Sequence, residues 1–373
     1  MRRVARAGDL VLTLGAGDIT GLYQEWRDLD GVARTRPLPT GERSSGPVVG
    51  VLMGGYSSER EISLKSGAAV CRALRDEGFE VAPVDIREIE EDVIARKLRD
   101  VRMDVAFVAL HGRPGEDGRV QEILRRMDVP YTGSEPEAHR VAIDKAQTKD
   151  ILRRRGLVTP RSLVVDLGAI PDRREVYRAL GGGPYVVKPS CEGSSIGVEI
   201  VHDIADLLPA VERARGYGPR VLCEEYIAGR ELTVGILDRA ALPVIEIRPR
   251  HGYFDFTAKY QKGETDYVIP AVLPEALAAR LREIAWQTHA ALGCRHFSRV
   301  DFILSEEGIP YILEINTIPG LTATSLLPMA ARYQGFSFTG LCRRLVELAL
   351  AEQGGVGTRQ RPVPGSIKEG VGG

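Results

Sequence analysis

The alternation of short β-branched runs with helical patterns is the feature that most constrains the fold of this chain. Strands are predicted at residues 48–53, 79–86 and 105–110, and helices at 58–77 and 88–99. Ser58 and Glu61 have the S-x-x-E spacing of a capping box, so Ser58 is expected to cap the first helix. This order indicates a mostly parallel sheet covered by helices, whose ligands lie beyond the carboxyl ends of its strands.

The rest of the chain is predicted to form α+β lobes. The middle part has strands at 162–165, 185–187, 198–201 and 221–225 and helices at 143–155, 173–180 and 204–214. The last part has strands at 231–237, 242–248, 297–304 and 309–315 and helices at 274–292 and 337–351. The predicted fold class is therefore α/β, with a parallel sheet followed by α+β lobes.

Composition marks the boundaries between these parts. Residues 28–47 are rich in Arg, Pro, Gly and Ser, which is typical of a linker, and the residues from about 354 are Gly, Pro and polar. We expect an extension and linker at 1–47, an α/β substrate domain at 48–135, a central lobe at 136–226, a C-terminal lobe at 227–352 with the metal and substrate site, and a disordered tail at 353–373.

Charge and cysteine content exclude several classes of partner. Lys plus Arg (50) nearly cancels Asp plus Glu (51), so no global field favours nucleic acid or an anionic membrane. The five cysteines form no C-x-x-C pair, which fits reduced thiols in a cytoplasmic protein. No apolar run approaches the roughly 18 to 20 residues of a membrane-spanning helix. We expect neither a nucleic-acid nor a membrane partner.

The strongest local signal is the last predicted strand pair. Arg299 and Asp301 share one strand face, and Glu314 and Asn316 share another, because strand side chains alternate with a period of two. If the strands are neighbours, three oxygen-bearing side chains converge, and Mg²⁺ prefers a few such hard ligands. The alternative is that all these side chains are solvent-facing polar positions.

Three further segments are candidate ligand sites. Lys188 ends a strand and precedes a Gly/Ser turn at 192–197, where small residues let backbone N–H groups approach an anion; the alternative is a surface hairpin. His111 opens a glycine-rich charged loop after a buried strand, and it is either catalytic or structural. The aromatic and basic stretch 253–260 either closes over a ligand or covers a surface. Gly15-Ala16-Gly17 lacks the βαβ unit of a dinucleotide fingerprint.

Taken in order, these motifs resemble the D-alanine:D-alanine ligases of the ATP-grasp superfamily over about residues 48 to 350. The matching segments are GGYSSEREISLKSG, ALHGRPGEDG, YTGS, DKAQTK, VVKPSCEGSSIGV, EEYIAGRE, FDFTAKY, RVDF and LEINTIPGLTATSLLP. The resemblance implies an ATP-grasp fold with an N-terminal parallel-sheet domain. It also implies a homodimer that uses ATP and two Mg²⁺ ions, with Mn²⁺ as a possible substitute, to join two D-alanines for peptidoglycan.

The resemblance also implies roles for individual residues. Lys145 and Lys188 would hold the ATP phosphates. The adenine and ribose pocket would be lined by Glu224, Tyr226, Ile227 and Glu231, and the metal ions would be bound by Asp301, Glu314 and Asn316.

Both D-alanines and the developing oxyanion have implied partners as well. Glu59 would hold the ammonium of the first D-alanine, with His111 near its carboxylate. Ser194 and Tyr260 would join Glu59 in a latch over the site. The second D-alanine would be held by Lys259, Ser325 and Leu326, and the oxyanion by Arg299 and the Gly320 amide.

Other functions remain open at this stage. A D-alanine:D-lactate ligase or another ATP-grasp dipeptide ligase would share most of these motifs, although Tyr260 favours the dipeptide enzyme. A catalytically inactive ATP-binding regulatory protein is a more remote alternative. Residues 8–20 resemble the tail of a UDP-N-acetylmuramate:alanine ligase, which suggests a remnant of a fusion.

Overall fold

A computed structural model describes residues 46–166, 168–169, 172–250 and 264–354 of the chain. The first part is built from β1 (Val48–Gly54), α1 (Arg60–Asp76), β2 (Glu80–Ile86), α2 (Glu91–Arg99), β3 (Val105–Val108) and α3 (Arg119–Arg126). Its three strands form a parallel sheet in the order β2-β1-β3. The predicted parallel sheet is therefore confirmed, and every residue of β1 and β3 is buried.

The middle part forms a four-stranded antiparallel sheet. It contains α4 (Pro136–Ile143), α5 (Lys145–Arg154), β4 (Ser162–Val165), α6 (Arg173–Leu180), β5 (Tyr185–Pro189), β6 (Glu199–Val201), α7 (Ile204–Arg215) and β7 (Val221–Glu225). The strand order is β4-β7-β5-β6. This order places β5 beside β7, so residues of both strands can face one cavity.

The last part forms a six-stranded antiparallel sheet with order β11-β10-β8-β12-β13 and β9 paired to β8. Its elements are β8 (Gly229–Leu237), β9 (Ala240–Ala241), β10 (Ile245–Pro249), β11 (Thr265–Val268), α8 (Glu275–Ala291), β12 (Phe297–Ser305), β13 (Pro310–Asn316), α9 (Leu326–Tyr333) and α10 (Phe338–Gly354). The final two helices return to the parallel sheet. One hydrophobic core joins Val51 and Phe107 of that sheet to Leu327 and Leu345.

Several local expectations were wrong. Ser58 does not cap α1; Glu59 takes the N-cap position without a side-chain capping hydrogen bond, and Ser58 is exposed. The helix expected at 143–155 is confirmed as α5, which begins at Lys145 because the extended backbone of Asp144 separates it from α4 and the Asp144 carboxylate caps it. The last helix continues to Gly354, two residues into the expected tail. Three helices, α3, α4 and α9, and two strands, β9 and β11, were not anticipated.

The structure also bears on the other expectations drawn from composition. In the part of the chain that the structure describes, no helix combines the length and apolar character that a membrane crossing requires. Residues 1–45 of the extension and linker expected at 1–47 lie outside the described residues, as do the tail from 355 and the stretch 253–260 with Lys259 and Tyr260.

Candidate active site

A cavity of about 460 Å³ lies between the four-stranded and six-stranded sheets. Its volume is within the range of about 300 to 1,000 Å³ that is usual for small-molecule sites. All six residues expected to bind the nucleotide line it, namely Lys145, Lys188, Glu224, Tyr226, Ile227 and Glu231. Asp301 and Glu314, two of the three expected metal ligands, also line it. Sequence positions up to 169 residues apart thus meet at one cavity.

Lysines and one carboxylate form a buried charged group on its four-stranded side. Lys188 of β5 and Glu224 of β7 share a sheet face, because Glu224 is paired with Val186, two residues before Lys188. The Lys188 Nζ lies 2.7 Å from Oε2 of Glu224, and the Nζ of Lys149 lies 2.6 Å from Oε1. Burial raises the pKa of Glu224, but both lysines outweigh it and hold that pKa below its usual value.

Lys145 connects this side of the cavity to the opposite sheet. It is the first residue of α5, and its Nζ donates a hydrogen bond of 2.6 Å to the carbonyl oxygen of Glu192. The same Nζ lies 3.2 Å from Oε2 of Glu314 on β13. Burial lowers the pKa of Lys145, but the Glu314 carboxylate raises it by a larger amount. The net shift of the Lys145 pKa is therefore upward. Lys145 is therefore a charged ammonium at the cavity wall.

The expected metal ligands converge on the neighbouring strands β12 and β13. Asp301 is paired with Glu314, and Arg299 with Asn316, across the antiparallel register. The carboxylate of Asp301 accepts hydrogen bonds from Arg299 at 2.7 and 2.8 Å, from Asn316 Nδ2 at 3.1 Å and from Thr233 Oγ1 at 2.6 Å. The alternative of solvent-facing polar side chains is thus wrong for this group.

This donor set fits magnesium. Mg²⁺ is usually held by one or two carboxylates while substrate phosphates and water complete its coordination. Asp301 and Glu314 supply the carboxylates, and Asn316 supplies an amide. Among the described residues no cluster of three or more His, Cys, Asp or Glu side chains forms a metal cage. The set therefore suits an ion that is shared with a phosphate ligand.

A second group lies where the parallel sheet meets the Gly/Ser turn that follows β5. The Ser194 hydroxyl donates a hydrogen bond to the Glu59 carboxylate, and both residues are buried. Ser194 and Ser195 have φ values of 50° and 59°, which turn the backbone sharply at this point. Glu192 and Ser195 of the same turn line the large cavity. One turn therefore touches both groups.

His111 holds the loop that follows β13 against the parallel sheet. Its Nδ1 lies 3.1 Å from the carbonyl oxygen of Ile318, which can only accept, so Nδ1 carries the proton. The Nε2 forms a hydrogen bond of 2.8 Å with the hydroxyl of Ser66. The backbone N–H of Leu321 donates to the same Ser66 oxygen at 3.4 Å. Both ring nitrogens are thus engaged, which positions the loop that contains Gly320.

Gly320, Ser325 and Leu326 lie together at the start of α9. Ser325 takes the N-cap position of this helix, and its Oγ accepts from the N–H of Thr322 at 3.1 Å. A Cβ added at Gly320 would lie 2.9 Å from this oxygen, so the close approach requires glycine. Leu326 is buried in the shared core. The loop is therefore fixed at both ends.

Sequence reasoning missed Lys149, Thr233 and Ser66, each of which contacts an expected site residue. Lys149 follows Lys145 by one helical turn in the segment DKAQTK, and this spacing could have indicated it. Thr233 lies opposite Asp301 on β8, a relation that only the strand register reveals. The Ser66 contact with His111 spans 45 residues and has no local signal.

Two antiparallel sheets that close on a lysine-lined cavity, with carboxylates of one sheet at its wall, define the ATP-grasp class of carboxylate–amine ligases. A family model described as D-ala D-ala ligase C-terminus matches residues 156–347, and one described as D-ala D-ala ligase N-terminus matches residues 48–98 and 88–134. The chain belongs to the D-alanine–D-alanine ligase family.

Individual proteins show the same relationship. The chain is 45% identical over 317 residues to a D-alanine–D-alanine ligase of Pelotomaculum thermopropionicum, covering 82% of this chain and 98% of that protein. It is 46% identical over 309 residues to one of Anaeromyxobacter dehalogenans, covering 81% and 97%. The crystal structure of the Bacillus anthracis D-alanine–D-alanine ligase complexed with ATP has a TM-score of 0.73 and 33% identity, covering 84% of this chain and 100% of that chain.

Proposed function

We propose that this chain joins two D-alanine molecules into D-alanyl-D-alanine for peptidoglycan synthesis, with ATP cleaved to ADP and phosphate. The observation that carries the proposal is the turn after β5. Its Glu192 and Ser195 line the cavity between the sheets, while its Ser194 donates to Glu59 of the parallel-sheet domain. A nucleotide and an amino acid bound to these two groups would meet at the turn.

In this proposal the cavity holds ATP. Lys145 and Lys188 contact the phosphates, supported by the position of both lysines at the cavity wall. The adenine and ribose are held by Glu224, Tyr226, Ile227 and Glu231, which line the same cavity. Binding of ATP is also what the crystal structure of the Bacillus anthracis relative reports.

Asp301, Glu314 and Asn316 are proposed to bind two Mg²⁺ ions, with Mn²⁺ as a substitute. The convergence of these side chains on paired strands supports the assignment. Magnesium supplies positive charge to the phosphate oxygens when it is bound. Thr233 and Arg299 hold the Asp301 carboxylate in place through the hydrogen bonds described above.

The two D-alanines are proposed to bind beside the turn. Glu59 holds the ammonium of the first D-alanine. His111 lies near the carboxylate of that same D-alanine. Ser194, Tyr260 and Glu59 form the latch that closes over the site. The second D-alanine is held by Lys259, Ser325 and Leu326. The burial of Glu59 and Ser194 supports the first of these assignments.

The chemistry explains the surplus of cations. The carboxylate of the first D-alanine attacks the γ-phosphorus of ATP and ADP leaves, which gives the acyl phosphate. Two unit charges about 4 Å apart repel by roughly 4 kcal/mol at an effective dielectric near 20, and Lys145 and Lys188 reduce this repulsion. The amine of the second D-alanine then adds to the acyl carbon, and Arg299 and the Gly320 N–H stabilise the tetrahedral oxyanion that forms. This oxyanion collapses with departure of phosphate, and the new amide nitrogen loses a proton.

The same proposal divides the chain into a substrate domain at 48–135 and ATP-grasp lobes at 136–226 and 227–352. It also includes the homodimer. The three separate sheets support this division.

Measurement of ADP release tests the proposal. The purified chain with ATP and Mg²⁺ is expected to release ADP with D-alanine and to form D-alanyl-D-alanine, with little release for L-alanine. Addition of D-lactate to the D-alanine reaction is expected to give no depsipeptide. A depsipeptide as the main product would instead identify a D-alanine:D-lactate ligase, and nucleotide binding without any turnover would identify a regulatory protein.

A further inference from the structure

Glu224 forms an ion pair with a second lysine, Lys149, to which the proposed chemistry gives no role. Its carboxylate is 2% exposed and meets one ammonium on each oxygen, Lys149 on Oε1 and Lys188 on Oε2. One negative charge therefore lies between two positive charges, and the group as a whole has an excess of positive charge. The two lysines come from different elements, Lys149 from α5 and Lys188 from β5.

Lys149 approaches the carboxylate from behind the cavity wall. Its side chain is 1% exposed and is not among the residues that line the cavity, whereas Lys188 and Glu224 both line it. Its ammonium also donates to Thr159 Oγ1 at 2.6 Å and to the carbonyl oxygen of Pro160 at 3.3 Å. With the Glu224 carboxylate as its ion-pair partner, the Lys149 ammonium therefore contacts three oxygen atoms. Lys149 cannot reach a ligand without giving up one of them.

Lys149 affects how strongly the Glu224 carboxylate attracts Lys188. Two cations that share one carboxylate compete for it, and each restricts where the other can lie. Burial lowers the pKa of Lys149 to about 8, with the nearby Lys188 charge adding to that effect. If the Lys149 ammonium is removed, both oxygens of Glu224 become available to Lys188. Lys188, which already lies 2.7 Å from Oε2, would then be held more strongly by the carboxylate and would be less available to an anion in the cavity.

We propose that Lys149 is a positioning residue of the nucleotide site: it occupies one oxygen of Glu224 from behind the wall, which leaves the Lys188 ammonium directed at the nucleotide. This inference rests on the proposed function, because it takes the cavity ligand to be ATP. Lys149 itself would contact neither substrate nor nucleotide. Its effect on ATP binding would pass through Glu224.

A double-mutant cycle tests this dependence. Affinity for a non-hydrolysable ATP analogue with Mg²⁺ is measured by calorimetry, without D-alanine, for the parent chain, Lys149→Met, Glu224→Gln and the double variant. Lys149→Met is expected to weaken binding about tenfold in the parent background and less than about twofold in the Glu224→Gln background, because contacting residues couple. Lys65→Met, at an exposed lysine, is the matched control.

Each outcome decides the inference. Equal losses from Lys149→Met in both backgrounds, or no loss in a variant that retains the parent's thermal transition, would overturn it. If Lys149→Met unfolds, the double variant still tests the inference. It is expected to fold and to bind the analogue with the same affinity as Glu224→Gln. A parent chain that binds the analogue but forms no dipeptide defeats the proposed function alone. A parent chain that binds no analogue defeats both.

Discussion

Ser194 donates its hydroxyl hydrogen bond to Glu59 across 135 residues of sequence. Glu59 belongs to the N-cap of α1, and Ser194 to a turn whose neighbours line the cavity between the two antiparallel sheets. A buried carboxylate that accepts a hydrogen bond keeps its position and its charge at lower cost than one without a partner. In the proposed function, this bond would hold the Glu59 carboxylate, as the amino-acid site, next to the nucleotide cavity.

Ser194→Ala is expected to weaken the use of D-alanine more than the use of ATP. Loss of a hydrogen bond to a charged group costs about 1.5 to 3 kcal/mol, which corresponds to a fall of roughly ten- to a hundredfold in kcat/KM for D-alanine. Steady-state kinetics with each substrate varied in turn measure this split. Ser58→Ala, at the exposed serine that precedes Glu59, is the matched control. An equal loss for both substrates would count against a separate amino-acid site.

Glu314→Ala is expected to reduce turnover about a hundredfold or more and to weaken Mn²⁺ binding, because one of two carboxylates leaves the group on β12 and β13. Turnover with Mg²⁺ and direct Mn²⁺ titration by paramagnetic resonance give independent measurements. Glu306→Ala, at an exposed position in the hairpin between the same strands, controls for a general effect on the sheet. Unchanged Mn²⁺ affinity in Glu314→Ala would remove the metal assignment.

The free energy of unfolding is expected to fall in acid partly because of His289. Burial, with a smaller effect of His296, lowers its pKa from 6.5 to about 4, and its Nδ1 lies 2.7 Å from Ser298 Oγ. The unfolded state therefore binds a proton below about pH 6.5, while the folded state binds it only near pH 4. This group stabilises the fold fully above pH 6.5 and loses about 3 kcal/mol of that contribution by about pH 4.

Denaturant unfolding of the parent and of His289→Asn at about pH 7 and about pH 4 checks this expectation. Asparagine keeps a hydrogen-bonding group opposite Ser298 but does not take up the proton. The difference between the two proteins should shift by about 3 kcal/mol in favour of the variant on going to acid. His202→Asn replaces an exposed histidine and serves as the control. Parallel pH dependence of parent and His289→Asn would contradict the assignment.

The position of the α1 cap predicts opposite results for two substitutions. Ser58→Ala should change the free energy of unfolding by less than about 0.5 kcal/mol, because Ser58 is not the capping residue. Asp203→Ala should cost about 1 kcal/mol, because Asp203 caps α7 and its carboxylate accepts from the N–H of Ala205 at 2.8 Å. Chemical denaturation compares both with the parent. A loss of stability from Ser58→Ala as large as that from Asp203→Ala would contradict the structure.

Local patterns predicted the elements and the side chains that a single strand or turn determines. The period of two placed Arg299 with Asp301 and Glu314 with Asn316, and the structure confirms that their strands are neighbours. The β-branched runs predicted β1, β2 and β3 and their parallel arrangement. These features follow from the residues of one segment, so the sequence was sufficient for them.

Contacts between distant segments could not be predicted in the same way. Lys149 of α5 meets Glu224 of β7 across 75 residues of sequence, and Thr233 meets Asp301 because β8 lies beside β12. The capping prediction at Ser58 failed for a related reason. Ser57 Oγ already accepts from the N–H of Glu59, and the Glu59 carboxylate turns to Ser194, so the helix begins one residue later than the S-x-x-E spacing indicates.

The most direct test of the central claim follows oxygen from substrate to phosphate. D-alanine whose carboxylate carries a heavy oxygen isotope is incubated with ATP, Mg²⁺ and the purified chain, and the released phosphate is analysed by mass spectrometry. If the carboxylate attacks the γ-phosphorus and phosphate then leaves from an acyl phosphate, each phosphate should carry a single heavy oxygen atom, in step with dipeptide formation. Dipeptide or ADP formed with unlabelled phosphate would contradict this account.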